Sequence, residues 1–122
     1  MPPTNRRSAE SFTPLKPDAF YILLVLLDAE RHGYAIMQEA AARSQGAVEL
    51  RAGVLYRLLR RMLDDGLVVE SDRRPAADAD DERRRYYRVT SLGRRVMTAE
   101  ADRMAALARA AHAALGRYPA PA

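Results

Sequence analysis

"RAGVLYRLLRRMLDDGL", residues 51–67, carries two patterns at once. Leu55, Leu58, Leu59 and Met62 recur at the spacing of a single helix face. Gly53, Tyr56, Arg57 and Arg60 cluster on the opposite side, with Arg61 on the flank. Asp64-Asp65-Gly66 then ends the helix, with glycine where a left-handed closing residue is needed. The spacing predicts a helix over about 52–65 with its leucine stripe buried. Its arginine-tyrosine side is either a solvated face or one that reads another molecule, and the flanking chain bears on which.

Upstream, Pro17 suits the first turn of a helix running to about Asp28. That helix is apolar almost all round, from Phe20 to Leu27, so it needs cover on more than one side. Gly33 breaks the chain, a second helix spans about 34–43, Gln45-Gly46 turns, and "AVEL" (47–50) is extended. Downstream, "LVVES" (67–71) has strand composition, and "RRPAADADDE" (73–82) is a polar loop. "RRRYYRV" (83–89) alternates with period two: Tyr87 and Val89 on one face, Arg84, Tyr86 and Arg88 on the other. Thr90 can N-cap a last helix, about 91–115, that ends before Gly116. The expected fold is mainly α with a two-stranded β wing: a winged helix-turn-helix plus a long C-terminal dimerisation helix. The expected division is a disordered basic arm over 1–14, a DNA-binding domain over 15–90, the dimerisation helix over 91–116 and a tail over 117–122.

The 122 residues suit one domain, and the net charge of +4 permits a nucleic-acid partner without requiring one. Lys16 is the only lysine, and arginine's planar fork suits phosphates and guanine edges. GC-rich codon usage would produce the same arginine excess. There is no cysteine, hence no disulfide framework. The longest apolar run is too short to span a bilayer, and the N-terminus lacks a signal-peptide pattern, so a cytoplasmic protein is expected. His32 and His112 lack metal-ligand spacing, and the carboxylates at 78–82 lack the glycine and closing Glu of a calcium loop. No enzyme, metal site or cofactor is read.

In a helix-turn-helix the third helix enters the major groove. There Gly53 would let the backbone come close, and Tyr56 could bond a phosphate or pack on a thymine methyl. Arg57 and Arg60 could reach guanine edges or phosphates. In the last helix, Met97, Ala101, Met104, Ala108, Ala111 and Leu115 follow coiled-coil spacing. Together with Phe20, Leu24 and Leu27 of the first helix they form the expected surface of a homodimer. Phe20, Tyr21, Met97 and Met104 either line a ligand cavity between two copies or are plain interface core.

"HGYAIMQE" (32–39), "GVLYRLLRRMLDDGLV" (53–68) and "RRRYYRVTSLGRRVM" (83–97), in this order and spacing, resemble the PadR-like family of bacterial transcriptional regulators. The resemblance spans about residues 15–115 and is nearest the subgroup with a single C-terminal helix. It implies a homodimeric winged-helix repressor that binds a palindromic operator on double-stranded DNA, in some members released by a small-molecule inducer. By motif, Tyr56 falls at the family's recognition-helix tyrosine, Tyr34 at its second-helix tyrosine, and Tyr87 at a wing-strand tyrosine read here as core. The chain departs at Val54, where the family often has Thr, and at Arg51-Ala52, where a small polar residue often opens the helix; Arg51 could take over the phosphate contact. Asp78, Asp80, Asp81 and Glu82 would be repelled by DNA, which leaves wing contacts to Arg73, Arg74, Arg83, Arg84 and Arg85. Two other readings of the arginine face stay open: a winged-helix module binding an acidic protein surface, and an RNA-binding winged helix.

Overall fold

The computed structural model describes residues 8–71 and 85–119. A 3-10 turn (Ala9–Phe12) precedes α1 (Pro17–Leu27), β1 (Arg31–His32), α2 (Gly33–Arg43) and α3 (Ala52–Asp64). β2 (Val68–Glu70), β3 (Tyr86–Val89) and α4 (Ser91–Arg117) follow. The sheet has three antiparallel strands in the order β1-β3-β2, where two had been expected. The extra strand is only Arg31-His32, paired with Tyr87 and Tyr86. Two polar residues show no strand pattern of their own; pairing to β3 makes them a strand.

α1 is the hub. Ile22, Leu23, Val25 and Leu26 are buried, and the helix packs on α2, β3 and α4. Its remaining apolar residues, among them Phe20, Leu24 and Leu27, are only half-buried. α2 starts at Gly33 itself, with the His32 ring accepting a hydrogen bond from Ala35 N–H at 3.3 Å. Asp28 holds the ends of α1 and α2 together on the surface, paired with Arg43 at 2.9 Å and Arg31 at 3.2 Å. The Arg43 hydrogen bond, supported by Arg31, draws the Asp28 carboxyl below its ordinary pKa. Exposed pairs of this kind add little to stability.

Beneath α3 lie Leu55, Leu59 and Met62, all buried; Leu58, the fourth member of the stripe, is half-buried. Gly66, at φ 78°, closes α3 in the left-handed region where glycine has no Cβ penalty. The chain then runs directly into β2, and Thr90 returns to it: its N–H donates to the Leu67 carbonyl at 3.0 Å. The Thr90 hydroxyl also accepts from Gly93 N–H at 3.0 Å, capping α4 as expected.

Two boundaries and the placement of one side chain differ from the sequence expectation. Residues 8–14 are part of the folded domain rather than a disordered arm. Ala9 is buried against the core, and Ser11 and Thr13 each donate a side-chain hydrogen bond to the carbonyl three residues back. Leu15 N–H then donates to the Glu100 carboxylate at 3.0 Å, fastening the segment to α4. α4 continues through Gly116 to Arg117 instead of stopping before the glycine, since one glycine costs a helix only about 1 kcal/mol. Met97, expected in an intermolecular seam, is 6% exposed and belongs to the core of its own domain.

Candidate nucleic-acid interface

α3 presents its two sides as different chemistry. Opposite the buried stripe, Gly53, Arg57 and Arg60 are exposed, as are Arg51 at the N-cap and Arg61 on the flank. No described residue hydrogen-bonds or ion-pairs with the side chains of Arg51, Arg57, Arg60 or Arg61. Space around Gly53 is open: a Cβ there would meet nothing within 4 Å. The glycine is therefore not required by the domain's own packing. Arg51 supplies its carbonyl to Leu55 N–H at 2.9 Å but no side-chain cap. The first-turn N–H groups of α3 and the Arg51 guanidinium thus lie together at one exposed helix end, an arrangement that favours anions. Tyr34, second residue of α2, is 61% exposed.

Tyr56 does not stand clear of the core as its place on the helical wheel suggested. It is half-buried and packs against the core cluster. Its ring reaches the N-terminus of α2, where a Cβ on Gly33 would lie 2.9 Å from Cζ. The wheel placed Tyr56 correctly relative to the leucines; it could not show that α2 and the sheet close over that position.

Of the wing arginines, Arg73, Arg74, Arg83 and Arg84 lie outside the described residues, as do Asp78, Asp80, Asp81 and Glu82. Arg85 is engaged with Glu70 at 2.9 Å across the base of the hairpin, both side chains remaining about half in solvent. Tyr87 is buried, and burial, reinforced by Glu70, pushes its phenol pKa up. Its core role follows the sequence reading.

The proposed cavity set does not form one wall within the protomer. Phe20 and Tyr21 stack edge-to-face at 5.4 Å, but Met97 is buried and Met104 exposed. A groove of about 530 Å³ opens elsewhere, between Phe12 and Leu15 on one side and Val54 and Leu58 on the other, with Arg57 and Arg61 in its wall. The sequence does not reveal it, because the Ser- and Pro-containing stretch over 8–14 carries no pattern that places it against α3. Glu100 was missed for a different reason. A lone carboxylate in a helix reads as solvated, yet it is fully buried and grips Arg103 at 2.7 and 2.9 Å as well as Leu15. These donors hold its pKa below the ordinary value, the Arg103 hydrogen bond most strongly.

Beyond α4's first ten residues the helix leaves the domain. Ala101, Met104, Leu107, Ala108, Ala111 and Leu115 are all exposed. Among the described residues, no group of His, Cys, Asp or Glu could hold a metal ion, and no described helix is long and apolar enough to cross a membrane.

Similarity to known proteins agrees with this geometry. An uncharacterised protein of Lysinibacillus sphaericus is 34% identical over 73 residues, 60% of this chain; the match spans 64% of that relative's length. Among solved structures, a PadR family transcription regulator from hypervirulent Clostridium difficile superposes with a TM-score of 0.67 at 19% identity, covering 82% of this chain and 99% of that one. One from Eggerthella lenta gives 0.60 at 24% identity, covering 84% and 87%. RosR of H. salinarum gives 0.58 at 24% identity, covering 91% and 84%. At these identities the structures establish the shared fold. The transcriptional regulator PadR-like family matches residues 22–99, well over half of the sequence, and the chain belongs to that family.

Proposed function

We propose that this regulator is a cytoplasmic repressor that binds a palindromic operator as a homodimer, with α3 in the major groove. The observation that carries the reading is the run of exposed arginines on α3, Arg57 and Arg60 opposite the buried leucine stripe and Arg61 on its flank, whose side chains bond no other described residue. A solvated helix face usually carries both signs of charge in pairs; this one offers unpaired planar donors beside an open glycine. Arg57 and Arg60 take the base edges, while Arg51, Arg61 and the backbone at Gly53 take phosphates. Tyr34 lies at the rim of the same interface. Wing arginines 73, 74, 83 and 84 add phosphate contacts, and Arg85 contributes less because it is paired with Glu70.

Dimerisation places two copies of α3 on one side of the assembly. It is supported by the exposed seam from Ala101 to Leu115 and by the half-covered Phe20, Leu24 and Leu27 of α1. Release by a small-molecule inducer belongs to the same proposal, and the groove beside Arg57 and Arg61 is a place where a ligand would touch DNA-reading residues.

Selection of binding sites from random duplexes tests the reading. The wild type should yield a palindrome with half-sites about one helical turn apart. Arg57→Ala and Arg60→Ala should each lose about 1–3 kcal/mol of affinity and relax preference at one position per half-site. Both positions are exposed, so unfolding stability should change by no more than about 0.5 kcal/mol. Absence of a palindrome, or variants that select as the wild type does, would return α3 to being a solvated surface.

A further inference from the structure

We propose that Tyr56 is a positioning residue, a spacer that sets the angle and distance between α2 and α3, and that Gly33 is glycine to admit it. The inference rests on the DNA-reading role proposed for α3 and assigns Tyr56 a task other than base or phosphate contact. Three pieces of the domain meet at its ring. Gly33, buried at the first turn of α2, leaves no room for a side chain. A Cβ there would stand 2.9 Å from Cζ and 3.2 Å from Cε1, and nearer still to the hydroxyl. The opposing atoms belong to a flat ring, itself packed against the core, so they cannot fold away as the end of a flexible chain would. Beyond the ring lie Leu59 of its own helix and Glu70 and Tyr87 of the sheet, which line one groove with it.

Tyr56 thus sits where α2, α3 and the sheet converge, one residue before Arg57. In a helix-turn-helix the readers act only if the third helix enters the groove at the right depth and tilt. A ring wedged between the two helices is a direct way to hold that geometry. The exposed Tyr34 is the neighbour of Gly33, so the same contact also fixes where Tyr34 stands relative to α3.

The test is a double-mutant cycle on the intact 122-residue chain, read as affinity for the wild type's selected operator, with folding checked by thermal unfolding. Gly33→Ala forces the ring aside and should weaken operator binding by about tenfold. Tyr56→Leu alone takes the spacer away and should also weaken operator binding several-fold, whereas in the Gly33→Ala background it should recover part of the loss, because the added Cβ then has space and fills some of the ring's place. Tyr56→Phe keeps the ring and should select the same operator sequence, within a few-fold in affinity. The inference is overturned if the double variant loses the sum of the two single losses, or if Tyr56→Phe changes the base preferred at any position. If Gly33→Ala does not fold, Tyr56→Phe alone decides, since a tyrosine that reads DNA through its hydroxyl must alter selection or salt dependence when the hydroxyl goes. A wild type that selects no duplex at all overturns instead the DNA-binding reading on which the inference rests.

Discussion

α4 is one continuous helix with two histories of burial. Over residues 91–100, Gly93, Val96, Met97 and Glu100 are buried against the N-terminal segment, α1 and β3. From 101 to 117 the residues are exposed, Arg103 alone being half-covered. Composition changes with it: residues 91–100 hold one alanine, whereas eight of the seventeen residues from 101 to 117 are alanine. The first half is ordered by its own domain. The second is about 25 Å of helix that no other described residue buries, and isolated helices of this length are marginal in water. The described core therefore ends near Arg103, and the distal helix adds no buried residue to it.

Truncation separates the two halves of α4 with the largest expected effect. Removing residues 104–122 should leave a folded, monomeric domain, while removing 97–122 strips Met97 and Glu100 from the core and should unfold it. Light scattering with thermal unfolding separates the two outcomes. The folded monomer should bind a full palindrome at least about a hundredfold more weakly than the dimer, because the second half-site no longer acts as a tethered one. An unfolded 104–122 deletion would show that the domain needs its distal helix.

Point substitutions sharpen the contrast. Met97→Ala should cost about 2–5 kcal/mol of stability, as buried Met truncations do, measured by denaturant unfolding. A cost near zero would place Met97 at the intermolecular seam after all. Glu100→Gln keeps the shape but loses the charge that Arg103 and Leu15 hold, and should cost about 1.5–3 kcal/mol.

The Glu100 pKa is lower folded than its ordinary 4.5, so the folded state releases this proton more readily. Its stabilisation is complete above pH about 4.5 and is lost as pH falls through the folded value. Acid unfolding of Glu100→Gln should accordingly be less steep than that of the wild type as pH falls below the ordinary carboxylate range. At the small end, Leu115→Ala, 68% exposed, should leave the domain's own stability within about 0.5 kcal/mol. It should shift the monomer–dimer equilibrium measurable by sedimentation toward monomer.

Element identity was legible in the sequence wherever one residue's own preference settled the matter. The leucine stripe of α3, Gly66 at its end, Thr90 at the cap of α4 and the alternation around Tyr87 all express local geometry: helix period, positive φ, a side-chain acceptor, strand period. The exposed arginines follow directly from the stripe, since a helix that buries one side must show the other.

What only the tertiary structure decided were features made by meetings between distant segments. β1 exists because β3 pairs with it. Residues 8–14 are ordered because Ala9 and Leu15 find α4, and Glu100 is buried because Leu15 and Arg103 satisfy it. Met97 faces inward because the N-terminal segment, α1 and β3 lie against the start of α4. Tyr56 is half-buried because Gly33, twenty-three positions earlier, leaves a ring-sized space. Periodicity describes one helix and its two faces; which neighbour lies over each face depends on the free energy of packing the whole chain, and no window of sequence contains that.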